Sequence, residues 1–354
     1  MDKKTVLCAM SGGVDSSVAA ALLLQQGYQV IGATMQIWGA EEGERACCSL
    51  SAVEDARRVA AKLGIPHYVL NFQEEFRQTV IEDFIREYRC GHTPNPCIQC
   101  NRWLKFDKLL RCAHDLGARF IATGHYARTF QDTGRFAIRR GIDRSKDQSY
   151  ALYSLEQEQL ENILFPLGEL TKVRVREIGR ELGLRTADKP DSQEICFVPD
   201  NDYGRFLREE APDTAREGDI LDLDGKVVGR HGGIAFYTIG QRKGLGLYRP
   251  HPLYVVALDS EKNTLTVGEK SALFQQRATT RNLVLGKWDE EALNHPRAVT
   301  AMLRYKMVAA PGIARLEGGN LILDFDLPQR AVTPGQALVC YDGDDVVCGG
   351  TIAS

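Results

Sequence analysis

Two groups of residues in this sequence have the types and spacing of a reaction site. The first is Ser11-Gly12-Gly13-Val14-Asp15-Ser16, set between an apolar run, Thr5 to Met10, and a stretch of alanines and leucines, Ser17 to Gln26, that Gly27 stops. Consecutive glycines let successive backbone amides curve into an anion nest, and the positive end of the following helix adds to it, which suits a pyrophosphate. The Walker lysine is missing and the glycines do not have dinucleotide-fingerprint spacing. A plain helix-capping turn with Asp15 in the first helical turn is the bland alternative; the strand before it and the helix after it favour the phosphate site. The second group is Thr93-Pro94-Asn95-Pro96-Cys97-Ile98-Gln99-Cys100-Asn101, a proline-stiffened loop with two thiols, and far along the chain Cys196 offers a third. A lone Cys-x-x-Cys fits half a zinc site, a redox pair or part of an iron-sulfur site, and spacing does not separate them. No second such pair occurs, so a four-cysteine zinc site would need an unusual assembly from Cys47, Cys48, Cys340 or Cys348. These four, with Cys8, Cys90 and Cys112, read most simply as core or surface thiols.

The elements that must position these groups follow from periodicity. Gln29 to Met35 and His67 to Asn71 are strand candidates, Leu50 to Leu63 is a helix closed by Gly64, and Arg119 to Thr123 is a further strand. Strands alternating with helices predict a doubly wound parallel sheet, α/β, with ligands at the carboxyl ends of strands, where the Ser11 loop and the Gly124-His125 turn would lie. After Pro199 short β-rich runs punctuated by Gly218-Asp219, Asp224-Gly225 and Gly232-Gly233 replace the helical texture. Ala298 to Met307, Leu321 to Phe325 and Ala337 to Cys340 then suggest a closing β-barrel. The expected domains are residues 1–199, a small β-rich domain at 200–271, and a barrel at 272–354.

Composition agrees with a globular protein: 354 residues exceed a single core, and 44% hydrophobic with 26% charged residues excludes a fibrous or largely disordered chain. No apolar run reaches the roughly 18 residues that span a bilayer, so no membrane partner is expected, and the cytoplasm is the expected address. Ten cysteines are too sparse for a disulfide scaffold. A net charge of -3 decides nothing about nucleic acid, because binding depends on where charges cluster. Arg135, Arg139, Arg140, Arg144 and Lys146 form one basic stretch; Lys172, Arg174, Arg176 and Arg180 form another, interleaved with glutamates on a helix.

The Ser11 loop resembles the pyrophosphate loop (PP-loop) of the ATP pyrophosphatases, the adenine nucleotide hydrolase-like proteins that split ATP between its α and β phosphates to adenylate a carbonyl oxygen. With Gly91 to Pro96, Ala122 to Tyr126, Lys146 to Tyr150, Asp191 to Phe197 and Gly240 to Leu245 in that order, the whole chain resembles the tRNA-specific 2-thiouridylases. That resemblance implies ATP, with Mg2+, over Ala9, Met10, Ser11, Gly12, Gly13, Val14, Asp15 and Ser16, with Met35 and Gly124 near the adenosine. It implies Cys100 as nucleophile and Cys196 as persulfide carrier, the pair forming a disulfide during the cycle. It implies residues 1–199 as the ATP-binding catalytic domain, 200–271 as a tRNA-binding domain, and tRNA contacts at Asn95, Pro96, Cys97, His125, Lys146, Asp147, Gln148, Arg304, Tyr305 and Gln336. The partners implied are the tRNA anticodon loop with its wobble uridine, and a cysteine desulfurase or relay protein as sulfur donor.

Many members of that family carry Asp where this chain has Cys97. With Cys97, Cys100 and Cys196 the chain also resembles thiolases that hold a 4Fe-4S cluster on three cysteines, leaving one iron open for sulfur. The expected reaction is activation of the uridine 2-oxygen as an adenylate, then displacement by sulfur carried on a cysteine or a cluster. The alternatives are another PP-loop adenylating enzyme, which leaves Asn95 to Asn101 and Ile195-Cys196-Phe197 unexplained, or a non-catalytic metal-containing RNA-binding protein.

Overall fold

The computed structural model describes residues 2–37, 50–190 and 195–353. Cys47, Cys48 and Asp191 to Glu194 lie outside the described residues. The chain divides into two compact units: Met1–Val80, Cys97–Asn201 and Asp344–Val346 form one, and Ile81–Pro96, Asp202–Gly343 and Val347–Ser354 the other.

In the first unit the strands β1 (Asp2–Ala9), β2 (Gln29–Gln36), β3 (His67–Asn71), β4 (Ala118–Ala122) and β7 (Ile163–Leu164) make a parallel sheet in the order β3-β2-β1-β4-β7. Val6, Leu7 and Cys8 of β1 are fully buried, as a central strand covered on both faces requires. Helix α1 (Val14–Gln25) buries most of its length, with Val18, Ala19, Ala20 and Leu23 in the main apolar cluster. Its small residues let neighbouring elements close in, and Gly27, at φ 83°, provides the left-handed residue that ends it. Helix α2 (Leu50–Leu63) has the expected bounds. The chain reverses direction along the sheet between β1 and β4, the switch point at which such folds bind ligands.

One element escaped the periodicity. Strands β5 (Ala127–Asp132) and β6 (Arg135–Arg140) form an antiparallel hairpin whose turn residues Thr133 and Gly134 both have positive φ, 47° and 85°.

The second unit contains the helix Glu82–Arg89, with Phe84 packed against Phe206 and Tyr88 stacked on Tyr203. Its small sheet, β8 (Gly218–Leu221), β9 (Val227–His231), β10 (Tyr254–Asp259) and β11 (Thr264–Gly268), runs β10-β11-β8-β9 around Ile220, Val255, Leu265 and Val267. Strands β12 (Phe274–Leu285), β13 (Arg297–Met302), β14 (Ala310–Glu317), β15 (Asn320–Arg330), β16 (Ala337–Asp342) and β17 (Asp345–Ile352) form a barrel in the order β12-β15-β14-β13-β16-β17, closed by pairing of β12 with β17. The α/β class with a parallel sheet, a small β-rich region and a closing barrel therefore holds. The run from Ala298 to Met307 is not one strand: it ends at Met302, and Lys306 at φ 61° breaks the extended backbone.

Candidate active site

At the carboxyl end of β1 the chain turns through Ser11, Gly12 and Gly13 into α1. Gly12 has φ 70°, and a Cβ there would lie 2.3 Å from the Ala52 carbonyl oxygen, so only glycine fits. The loop is tied internally: Ser11 N donates to Ser16 Oγ at 3.1 Å, and Ser16 Oγ and Ser17 Oγ donate to Gly13 O at 3.2 and 2.8 Å. From β2, Thr34 Oγ1 donates to Met10 O at 2.7 Å. Met10 and Val14 are core side chains, 2% and 3% exposed, so of the ATP set they can offer a nucleotide only their backbone. Gly124, past the end of β4, presses on this loop: a Cβ there would lie 2.8 Å from Asp15 C and Ser16 N. The structure thus brings the Ser11 loop and Gly124 together at the switch point.

Asp15 is held by residues that sequence patterning did not single out for it. Lys172 Nζ donates to both its carboxylate oxygens at 2.7 Å, and Tyr126 Oη donates to Oδ1 at 2.7 Å. Lys172 opens the helix Lys172–Glu181 yet is buried, whereas the other cations of that helix point elsewhere. Arg174 pairs with Glu177 and Glu181, Arg176 donates to Ala187 O, and Arg180 pairs with Asp188. The signal was faint: Lys172 is one cation among four, distinguished only by following the N-cap Thr171. Lys189 further steadies the loop, donating to Gly12 O at 3.4 Å and pairing with Asp55 at 3.1 Å.

Helical backbone runs unbroken from Pro96 to Asp115, and its stretch Cys100–Lys108 is of the wide π type often found at functional sites. Proline at its start is favourable, since the first amides of a helix have no partner to lose. Cys97 is exposed; Cys100 is buried, 7% exposed. Asn101 Nδ2 donates to Ala151 O at 2.9 Å and Lys105 Nζ donates to Asn101 Oδ1 at 3.0 Å. The helix packs against the turn after β4 through Phe106, whose ring lies 5.8 Å from that of His125, next to Gly124. Burial, and next the charge of Lys105, push the His125 pKa well below its ordinary value, so the ring is neutral and bonds Thr123 Oγ1 at 2.7 Å.

Cys196 is half-buried and is followed by buried Phe197, whose ring meets Phe76 at 5.7 Å. The turn Gln73–Phe76 in turn packs against the helix that begins at Cys100. The contact of that turn lies at the far end of the stretch, where Lys108 pairs with Glu75 at 2.7 Å. Cys100 and Cys196 are both thiols, not a disulfide. Among the described residues no three His, Cys, Asp or Glu side chains are grouped as a metal site. The thiols as placed do not form the ligand set of a cluster, and no step is routed through one.

The segment Lys146 to Gln148 is bound into the first unit. Asp147 accepts from Gly141 N, Ser149 N and Ser149 Oγ at 3.1, 3.2 and 2.8 Å, and Gln148 Oε1 accepts from Tyr126 N at 3.0 Å. Nearby, Arg139 pairs with Asp345 and Arg144 with Asp344, which neutralises much of the basic stretch around them. In the second unit Arg304 and Tyr305 are exposed in the turn after β13. Gln336 Nε2 donates to Thr93 O at 2.7 Å and Thr93 N donates to Pro334 O at 2.8 Å, fastening the loop that leads through Asn95 to Pro96. Glu87 completes that anchor, accepting from His92 Nδ1 at 2.9 Å and Arg281 Nη2 at 2.6 Å. Burial alone would raise the Glu87 pKa, but the His92 hydrogen bond and the charges of Arg281, His92 and Arg86 outweigh it and hold the carboxyl below its ordinary range.

A glycine loop joining the central strand to the first helix at the switch point of a parallel sheet, with glycine-enforced contact from the neighbouring strand, is the arrangement of the ATP-using PP-loop class. Residues 4–200 match the tRNA methyl transferase HUP domain, 204–269 the tRNA methyl transferase PRC-barrel domain, and 277–352 an aminomethyltransferase beta-barrel domain. The chain is 56% identical over 361 residues to the tRNA-specific 2-thiouridylase MnmA of Heliobacterium modesticaldum, covering 99% of this chain and 92% of that protein. It is 51% identical to the proteins of that name from Acetivibrio thermocellus (99% of this chain, 100% of that protein) and Carboxydothermus hydrogenoformans (99% and 98%). The chain belongs to the tRNA-specific 2-thiouridylase family.

Proposed function

We propose that this protein thiolates the 2-position of a wobble uridine in tRNA at the expense of ATP. The domain names speak of methyl transfer and the relatives' names of thiolation. The site favours thiolation, because a pyrophosphate nest beside cysteines serves adenylation and sulfur transfer. The observation that carries the reading is the contact chain from the Ser11 loop through Gly124 and His125 to Phe106 and the helix of Cys100, which sets a nucleotide site and a thiol in one neighbourhood.

A uridine 2-carbonyl has a poor leaving oxygen. Attack of that oxygen on the α phosphate of ATP releases pyrophosphate into the nest of Ser11 to Ser16 and leaves an AMP ester that can depart. Magnesium bound with ATP would neutralise charge on the phosphates held over Ser11 to Ser16. The Asp15 carboxylate is already engaged by Lys172 and Tyr126 and serves to shape the loop. The terminal sulfur of a Cys196 persulfide then forms the bond to C2, and AMP leaves. Attack by the Cys100 thiolate on the Cys196 sulfur releases 2-thiouridine and forms a Cys100–Cys196 disulfide, which an external thiol must reduce before a donor such as a cysteine desulfurase recharges Cys196. A 4Fe-4S cluster on Cys97, Cys100 and Cys196 is the second reading, favoured by Cys97 alone, and it requires the three thiols to regroup. Arg304 and Tyr305, one cation beside one exposed ring, suit contact with an unstacked loop base. Asn95, Pro96, Cys97, His125 and the segment Lys146, Asp147 and Gln148 belong to the same proposed tRNA set.

Incubation of the protein with ATP and unmodified tRNA tests the first step. Pyrophosphate and AMP released in proportion to tRNA are expected. ADP as the product, or release indifferent to tRNA, would contradict it.

A further inference from the structure

The Ser11 loop offers amides to a pyrophosphate but no cation of its own. No Lys or Arg occurs from Thr5 to Gln36, and the lysine that a Walker loop would place here is missing. Among the described residues, two ammonium groups reach the loop from later parts of the first unit. Lys172 is committed to Asp15, whose charge it cancels, and its side chain is only 10% exposed. Lys189 is held more loosely: its Nζ lies 3.4 Å from Gly12 O and 3.1 Å from Asp55 Oδ2, and its side chain is 40% exposed.

The backbone that carries Lys189 is fixed. Thr186 Oγ1 donates to Ser17 Oγ at 3.4 Å, which sets the short turn Arg185–Asp188 against the start of α1. Lys189 N donates to Thr186 O at 3.2 Å, and Arg176 Nη1 donates to Ala187 O and Lys189 O at 2.6 and 3.1 Å. Gly179 permits this packing, since a Cβ there would lie 3.1 Å from Val14 Cγ2 and 3.3 Å from Ala187 Cβ. Asp55 stands one turn along α2 from Ala52, whose carbonyl oxygen fills the space that a Gly12 Cβ would need. The ammonium is thus delivered to the loop from an anchored backbone, on a flexible four-carbon stem that can still move.

A partly exposed ion pair is a shallow hold, and a pyrophosphate group, with several charges, outcompetes one carboxylate for an ammonium. We propose that Lys189 is the catalytic cation of the pyrophosphate side: when ATP occupies the loop, its ammonium leaves Asp55 for oxygens of the β and γ phosphates. As the uridine 2-oxygen forms its bond to the α phosphorus, the bond from that phosphorus to the bridging oxygen breaks and its electron pair passes to the pyrophosphate. Lys189 meets the growing charge there and keeps its proton. This rests on the adenylation of tRNA proposed above and names a residue for it.

The test follows tRNA-dependent pyrophosphate release by the full chain at fixed magnesium, with inhibition by added inorganic pyrophosphate and equilibrium binding of AMP. It compares wild type with Lys189→Gln, Lys189→Arg and Asp55→Asn, with thermal unfolding as the folding control. Lys189→Gln should lower kcat about 100-fold, the scale of one lost donor to developing charge. It should also weaken pyrophosphate inhibition about tenfold, as for one hydrogen bond to a charged group, while AMP, which has no β phosphate, binds within about twofold of wild type. Lys189→Arg should recover most of the pyrophosphate affinity. Asp55→Asn should act in the opposite direction and tighten pyrophosphate inhibition about threefold, because the ammonium loses its competing carboxylate. A tie that only shapes the loop would instead weaken AMP and pyrophosphate together in both Lys189→Gln and Asp55→Asn. That result, or unchanged kcat and pyrophosphate inhibition in folded Lys189→Gln, would overturn the proposal. Wild type that releases ADP, or that releases pyrophosphate without need of tRNA, would overturn the functional reading as well.

Discussion

Gln336 reaches back from the start of β16 to donate a 2.7 Å hydrogen bond to the backbone oxygen of Thr93. The family resemblance implies a tRNA contact for Gln336, but its amide is already occupied in fastening the loop that runs directly into Cys97. Gly335 beside it admits no side chain, since a Cβ would lie 2.8 Å from Thr93 N. Gln336→Ala should therefore lower kcat for thiolation about tenfold while tRNA Kd stays within about twofold, with about 1 kcal/mol of stability lost as for one net hydrogen bond. Parallel binding and single-turnover measurements check it; a loss confined to Kd would restore Gln336 to direct tRNA contact.

Lys172 and Asp15 form a pair that neither can leave cheaply. Lys172→Met strands a carboxylate whose side chain is 32% exposed, so the cost should be about 2 kcal/mol, below that of a fully buried pair. Differential scanning calorimetry should show a melting decrease of about 5 °C. Adding Asp15→Asn should recover most of the stability and none of the ATP turnover, because the loop geometry depends on the charged pair.

Gly124→Ala should abolish measurable ATP binding while the protein stays folded. The added methyl must push against the backbone of Asp15 and Ser16, and backbone cannot swing aside as a side chain can. Titration calorimetry with ATP, beside a circular dichroism spectrum, decides; wild-type affinity would mean that the loop is free to move.

How much of this was legible in the sequence varies with the range of the interaction. The glycine loop and its flanking strand and helix were visible because glycines, apolar runs and helix stops are local signals. The pairing of Lys172 with Asp15 was not, because it joins residues from opposite ends of the unit and Lys172 sits among surface cations of identical type. The hairpin Ala127–Arg140 was hidden because its strands show no clean alternation of apolar and polar residues. That Ile81–Pro96 packs with the second unit rests on contacts such as Tyr88 with Tyr203, to which no local pattern points.

His125 gives a pH prediction. Its folded pKa lies well below its unfolded value near 6.5, so the unfolded chain binds a proton that the folded chain refuses. Its stability contribution is full above about pH 6.5 and is lost as pH falls below it. His125→Asn should shrink the decline in melting temperature between about pH 6.5 and 5 relative to wild type; an identical decline in both would show that the ring protonates in place.

The central claim is that Cys100 and Cys196 carry sulfur to an adenylated uridine. Mass spectrometry of nucleosides from unmodified tRNA, incubated anaerobically with ATP, a sulfur source and the wild type, Cys100→Ser or Cys196→Ser protein, tests it most directly. The account predicts 2-thiouridine with wild type and none with either variant. Thiolation that survives either substitution, or ATP cleaved to AMP with no thiolated base from wild type under any sulfur supply, would contradict it.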